Sequence, residues 1–140
     1  MASEFKPEPI MVSMPCALAR IAITRGVAWN DCLQFVQDSV NPDGSPHEEP
    51  LDLTDTVLKM KITVAFEHET IIDELDSRLN ELMIYDAVNG RVQIFADHSR
   101  TRVYPLSPPC GWAFQIIGIR QGERAEFLRG SFHVQKSNYL

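Results

Sequence analysis

Period-two alternation of apolar and polar residues is the dominant pattern along the chain. It is cleanest in LKMKITVAF, where Leu58, Met60, Ile62, Val64 and Phe66 alternate with Lys59, Lys61, Thr63 and Ala65. A helix does not place five apolar side chains at spacing two, so this run is a strand with one buried and one wet face. Ala19, Ile21 and Ile23 repeat the pattern against Arg20, Ala22 and Thr24, and Gly26 closes the run. Val27, Trp29, Leu33 and Phe35 continue it on one parity. Asp31 interrupts that parity and predicts a bulge or a bend. In DAVNGRVQIF, Asn89-Gly90 supplies a turn, after which Val92 and Ile94 alternate with Arg91 and Gln93. Trp112, Phe114 and Ile116 alternate with Ala113, Gln115 and Ile117, a strand predicted to be covered on both faces. The last run turns Leu128, Phe132 and Val134 inward and Arg129, Ser131 and His133 outward. Gly130 shares the inward parity, which predicts close approach of another backbone.

Between these runs the pattern is weaker. Ile71, Ile72, Leu75, Leu79, Leu82 and Met83 suit an amphipathic helix by spacing alone. The rival reading is a strand through Ile71 and Ile72, a helical turn near 76–80, and a strand entering Tyr85. Residues 41–50 read as a loop around Asn41-Pro42-Asp43-Gly44, and 98–109 as an irregular connector. Residues 1–16, broken by Pro7, Pro9 and Pro15, read as an extended arm, disordered or laid on a neighbouring surface. Short alternating strands about every ten residues, joined by turn signals, predict an all-β antiparallel sandwich or barrel. At 140 residues the chain suits one domain, placed at 17–136 between the arm and a 137–140 tail.

Composition and charge narrow the function. The formal net charge is −6 and the basic residues are dispersed, Arg100 with Arg102 being the densest cluster. That balance argues against sequence-independent nucleic-acid binding, which needs a cationic surface. No run reaches the ~20 apolar residues of a membrane helix, and the N-terminus lacks a signal-peptide pattern, so synthesis in the cytoplasm is expected. Cys16, Cys32 and Cys110 lack CxxC spacing and read as free, partly buried thiols, with neither a disulfide framework nor a zinc site. Asp97-His98-Ser99 holds the residue types of a hydrolase triad, but consecutive residues do not place one imidazole between the other two, and a polar turn is the reading. Glu67-His68-Glu69 offers one imidazole and two carboxylates, which do not close a metal site. Asp43, Glu48, Glu49 and Asp52 do not follow calcium-loop spacing, and nothing faces Asp73 and Glu74 as a second catalytic carboxylate. No catalytic, cofactor-binding or metal residues are therefore assigned, and no enzyme activity is expected.

The order of the segments resembles a family. RGVAWNDCLQF, PLDLTDTVLKMKI, TIIDEL, NGRVQI, GWAFQIIGI and FLRGSFHV follow one another as in the N-terminal domain of phage upper baseplate proteins and related small Ig-like domains of tail and fibre gene clusters. The resemblance spans roughly residues 18–135, with Asp55 standing where that family has glycine after DLT. It implies an Ig-like β-sandwich of about seven to eight strands, with strands near 70–75 and 83–85. It also implies a non-enzymatic virion protein of a tail, baseplate or fibre-attachment region, working through contacts with other virion proteins and forming homo-oligomeric rings or clusters. A carbohydrate- or receptor-binding sandwich, with an exposed aromatic such as Tyr104 as its platform, is the alternative, as is a head decoration or neck protein.

Overall fold

In the computed structural model, residues 5–13, 17–64, 67–79 and 81–137 are described, the backbone alone at 67–69. The fold is all-β: the described residues form ten strands in two five-stranded mixed sheets. The strands are β1 (Ile10–Ser13), β2 (Ala17–Thr24), β3 (Trp29–Val40), β4 (Pro46–Pro50), β5 (Val57–Val64), β6 (Glu67–Asp76), β7 (Leu82–Asp86), β8 (Arg91–Ala96), β9 (Trp112–Arg120) and β10 (Glu123–Gln135). Sheet 1 is ordered β1-β3-β8-β7, with β4 also paired to β3; sheet 2 is ordered β2-β10-β9-β5-β6.

The alternation sets the inner faces. Leu58, Met60 and Ile62 of β5 are buried while Lys61 is exposed. Phe35 of β3 meets Phe127 of β10 with ring centroids 5.3 Å apart, and Trp29 meets Phe132 at 5.2 Å. Both contacts join sheet 1 to sheet 2, and one core cluster takes residues from both. Each fully buried aromatic or aliphatic side chain contributes about 1.5–3 kcal/mol. A register shift between Glu126 and Leu128 lets the consecutive residues Phe127 and Leu128 both be buried.

Two strand pairs are parallel, which corrects the antiparallel expectation: β1 with β3, and β2 with β10. Parallel neighbours need a crossover. Here β2 is that crossover for β1 and β3, lying in the opposite sheet. The strand number also exceeds seven to eight, because β1 and β4 form where composition reads as arm and loop. Neither has an alternating buried face: within β1 only Val12 is buried, and β4 has no buried residue.

Asp31 makes no bulge. The β3–β8 register is continuous from Trp29↔Ala96 to Gln34↔Arg91. The carboxylate is accommodated on the inward parity because the Trp29 indole N–H donates to it at 2.7 Å. Residues 70–85 take the strand reading: β6, a 3₁₀ turn at Ser77–Leu79, then β7. Gln115 of β9 is exposed while Ala113 and Ile117 on the same side are half-buried, so the outward face of that strand is covered only in part. Gly130 does admit a neighbouring backbone, since a Cβ there would overlap Ala19 O.

Candidate functional site

The segment after β8 turns a four-residue polar run into a clasp. Asp97 caps the short helix α1 (His98–Thr101), accepting from Arg100 N at 3.0 Å and from Ser99 Oγ at 2.6 Å. Side-chain acceptance at an N-cap satisfies donors the helix leaves open, so Asp97-His98-Ser99 is used locally. Asp97 is held below the ordinary carboxylate range by Ser99. Thr101, fully buried, donates to Val27 O at 2.9 Å and pins α1 against the β2–β3 turn.

That capping aims Arg100 at the edge of sheet 2. Its Nε and one terminal nitrogen grip the Asp73 carboxylate at 2.7 Å each. The same terminal nitrogen reaches Glu74 O at 3.0 Å, and the other meets Glu81. Tyr104 donates its hydroxyl to Asp73 from beneath and lies edge-on to Phe132. The guanidinium's pKa is raised, chiefly by Asp73; the Tyr104 phenol is pushed up by burial and then by the same carboxylate. A planar fork and bidentate carboxylate suit each other geometrically. The clasp therefore ties β6 of sheet 2 to α1 and to the approach to β7 of sheet 1. A cleft of about 500 Å³ opens beside it, rimmed by Ile72, Leu79 and Val103.

Tyr104 is 2% exposed, which corrects its expected place as a surface aromatic and removes it as a sugar platform. The sequence reading missed the clasp. Its members stand 27 and 31 positions from Asp73, and each alone reads as solvated surface.

The acidic residues of 43–52 are dispersed. Asp43 folds back on Ser45 N at 2.9 Å, Glu48 accepts from Ser13 Oγ at 3.0 Å, and Glu49 from Gln37 at 3.2 Å. Asp52 accepts from Thr54 N at 2.9 Å, and Leu53 between them is buried, with its N–H on Ala87 O. DLT is thus an Asx turn that plugs a core residue between the sheets. Asp55 follows it at φ 59°.

Among the described residues, no group of three or more His, Cys, Asp or Glu side chains is placed to hold a metal ion. Cys32 is buried on the outer side of β3, its pKa raised by burial, with the Tyr85 hydroxyl as partner. Cys110 is exposed. Cys16 and the side chains of Glu67-His68-Glu69 lie outside the described residues.

Two elements stand away from the core. Among the described residues, the β3–β4 hairpin, residues 37–50, makes its ladder pairs beyond Val36↔Pro50 within itself, is touched by Ser13 of β1 at Glu48, and contributes no residue to the core cluster. Asn41 donates twice to Ser45, from its backbone N–H to the carbonyl at 3.0 Å and from its side-chain Nδ2 to the hydroxyl at 2.9 Å, which fixes the tip. The N-terminal segment crosses the outer face of sheet 1. Phe5 O accepts from Asn30 at 2.8 Å and Gln93 at 3.0 Å, and Lys6 lies 5.4 Å from the Tyr85 ring centroid.

What the fold and these contacts define is an all-β protein with a charged inter-sheet clasp and a projecting hairpin. Comparison with protein-family models and with curated proteins found no match.

Proposed function

We propose that this chain is a structural virion protein of a bacteriophage, a tail, baseplate or fibre-attachment subunit that works through protein contacts. The observation that carries the reading is the projecting hairpin: a preformed ribbon, outside the core, joined to a rigid two-sheet body. Preformed elements lose little freedom on docking, and exposed strand edges can add to a neighbour's sheet. The ordered series of sequence landmarks supports an Ig-like sandwich of the tail and fibre type. Repeated copies in a ring would turn weak contacts into firm attachment.

Mass spectrometry and imaging of purified particles test the reading. The chain is expected in multiple copies at one symmetric position of the tail or its attachment region. Particles that assemble normally and contain none of it overturn the proposal. Because Val12 is buried and β1 pairs with β3, deleting all of residues 1–16 would disturb the fold itself. A variant in which Asn-Gly replaces residues 38–48 removes the hairpin while keeping Gln37 opposite Glu49.

A further inference from the structure

From Gly26 to Leu58 the chain holds seven carboxylates and no lysine or arginine. The projecting hairpin lies within that stretch and carries Asp38, Asp43, Glu48 and Glu49. Asp38 and Glu48 are directly opposite across its ladder. Like charges so placed are destabilising, and the hairpin carries no lysine or arginine to offset them, Glu48 being met by the neutral Ser13 hydroxyl. Near the tip, Val40 is 67% exposed. An isolated ribbon gains nothing from this arrangement, whereas a cationic surface with an apolar spot would relieve it.

The outer face of sheet 2 is such a surface. The register sets Leu18, Arg129, Gln115 and Lys61 side by side across β2, β10, β9 and β5. The adjoining row is Arg20, Ser131, Ala113 and Thr63, of which Ala113 and Thr63 line a groove beside the first row. The resulting groove is about 620 Å³, and Leu18 at one end is 76% exposed. Glu126 also lines it. Lys61 sits 3.9 Å from Glu74 and Arg129 3.6 Å from Glu126, their side chains 48% and 61% exposed. Exposed pairs of this kind are worth about 0–1 kcal/mol, so both cations are available to a better partner.

We propose that the hairpin of one copy docks on the outer face of sheet 2 of a second copy, its carboxylates meeting Arg20, Lys61 and Arg129 and Val40 meeting Leu18. The inference rests on the reading of the chain as an assembly subunit and names the surface such a subunit presents to its neighbour. Hairpin and groove are different surfaces of one molecule, so the contact is head-to-tail and generates rings or filaments.

Charge-swap sedimentation of the full chain tests it. The wild type is expected to self-associate at low salt, with affinity falling about tenfold or more between about 50 and 300 mM salt as charges are screened. Asp38→Lys with Glu48→Lys, and separately Lys61→Glu with Arg129→Glu, should each abolish self-association. An equimolar mixture of the two double variants should associate again, because each then offers what the other lacks. All four positions are on the surface, and circular dichroism checks that the variants stay folded. A wild type that stays monomeric at low salt overturns the contact, as does either double variant associating like wild type or a mixture that fails to recover. None of these solution results alters whether the chain is found in particles, so the two readings fail separately.

Discussion

Gly90 is the residue on which sheet 1 turns. It sits at φ 67°, and its carbonyl accepts from Phe35 N at 2.9 Å. Phe35 O accepts in turn from Leu51 N at 2.8 Å. The N–H and C=O of one strand residue point to the same edge, so β3 trades β8 for β4 along that edge at this point. A Cβ on Gly90 would lie 2.5 Å from Phe35 O and 2.6 Å from Leu51 O, and neither backbone atom can yield cheaply. Gly90→Ala should therefore destabilise by at least about 2 kcal/mol in urea unfolding. Asp55 presents the milder case. Its positive φ favours glycine, and Asp55→Gly should stabilise by up to about 1 kcal/mol in the same measurement, with Asp55→Val losing more than that. Asp76 reports electrostatics. Its hydrogen bond from Arg78 holds its pKa near about 2, below the ordinary 3.8. Its stabilising share is present above pH 3.8 and is lost as pH falls through about 2. Carboxyl NMR titration should return the depressed value, and Arg78→Ala should move it back toward the ordinary range. The alternation of apolar residues does not reveal such partners. Asp31 looked like a bulge because the pattern shows an interruption and hides the indole that receives it.

At the scale of elements, β5, β8 and β10 were legible because their core-facing apolar residues recur at period two; the pattern does not show that Gln93 and His133, on the opposite parity, are buried as well. β1 and β4 were not legible, since an edge or projecting strand buries almost nothing and has no face to state. The stretch 70–85 was ambiguous because its apolar spacing fits a helix. The tertiary context chooses strands there: β6 closes the edge of sheet 2 and Arg100 fastens it. The clasp is the element-level device with the clearest energetic signature. Arg100→Met leaves the Asp73 and Glu81 carboxylates facing each other without their cation, and should cost about 3 kcal/mol. Tyr104→Phe removes one hydrogen bond to a charged acceptor and should cost about 1–2 kcal/mol. Hydrogen exchange should localise both losses to β6 and the 98–104 segment, with the β9–β10 pair still protected. Uniform loss of protection across both sheets would show that the clasp does not act locally.

For the whole molecule, the class was legible and the pairing was not. Period-two runs establish an all-β chain, but which strands become neighbours depends on chain ends and crossovers that no local pattern records. The parallel placement of β1 and β2 is the clearest instance. Low local contact content predicts refolding in milliseconds to seconds, slower than a helical chain of this length, which stopped-flow fluorescence of Trp29 and Trp112 can follow. The β2–β10 ladder carries this further. Leu128↔Ala17 through Gln135↔Thr24 is the pairing of β2 within sheet 2, across more than a hundred positions. At ribosomal rates of about 5–20 residues per second, β2 emerges and waits on the order of 5–20 s before its partner exists. During that interval its edge is open, and the nascent chain carries an unclosed sheet until the final strand zips in beside it.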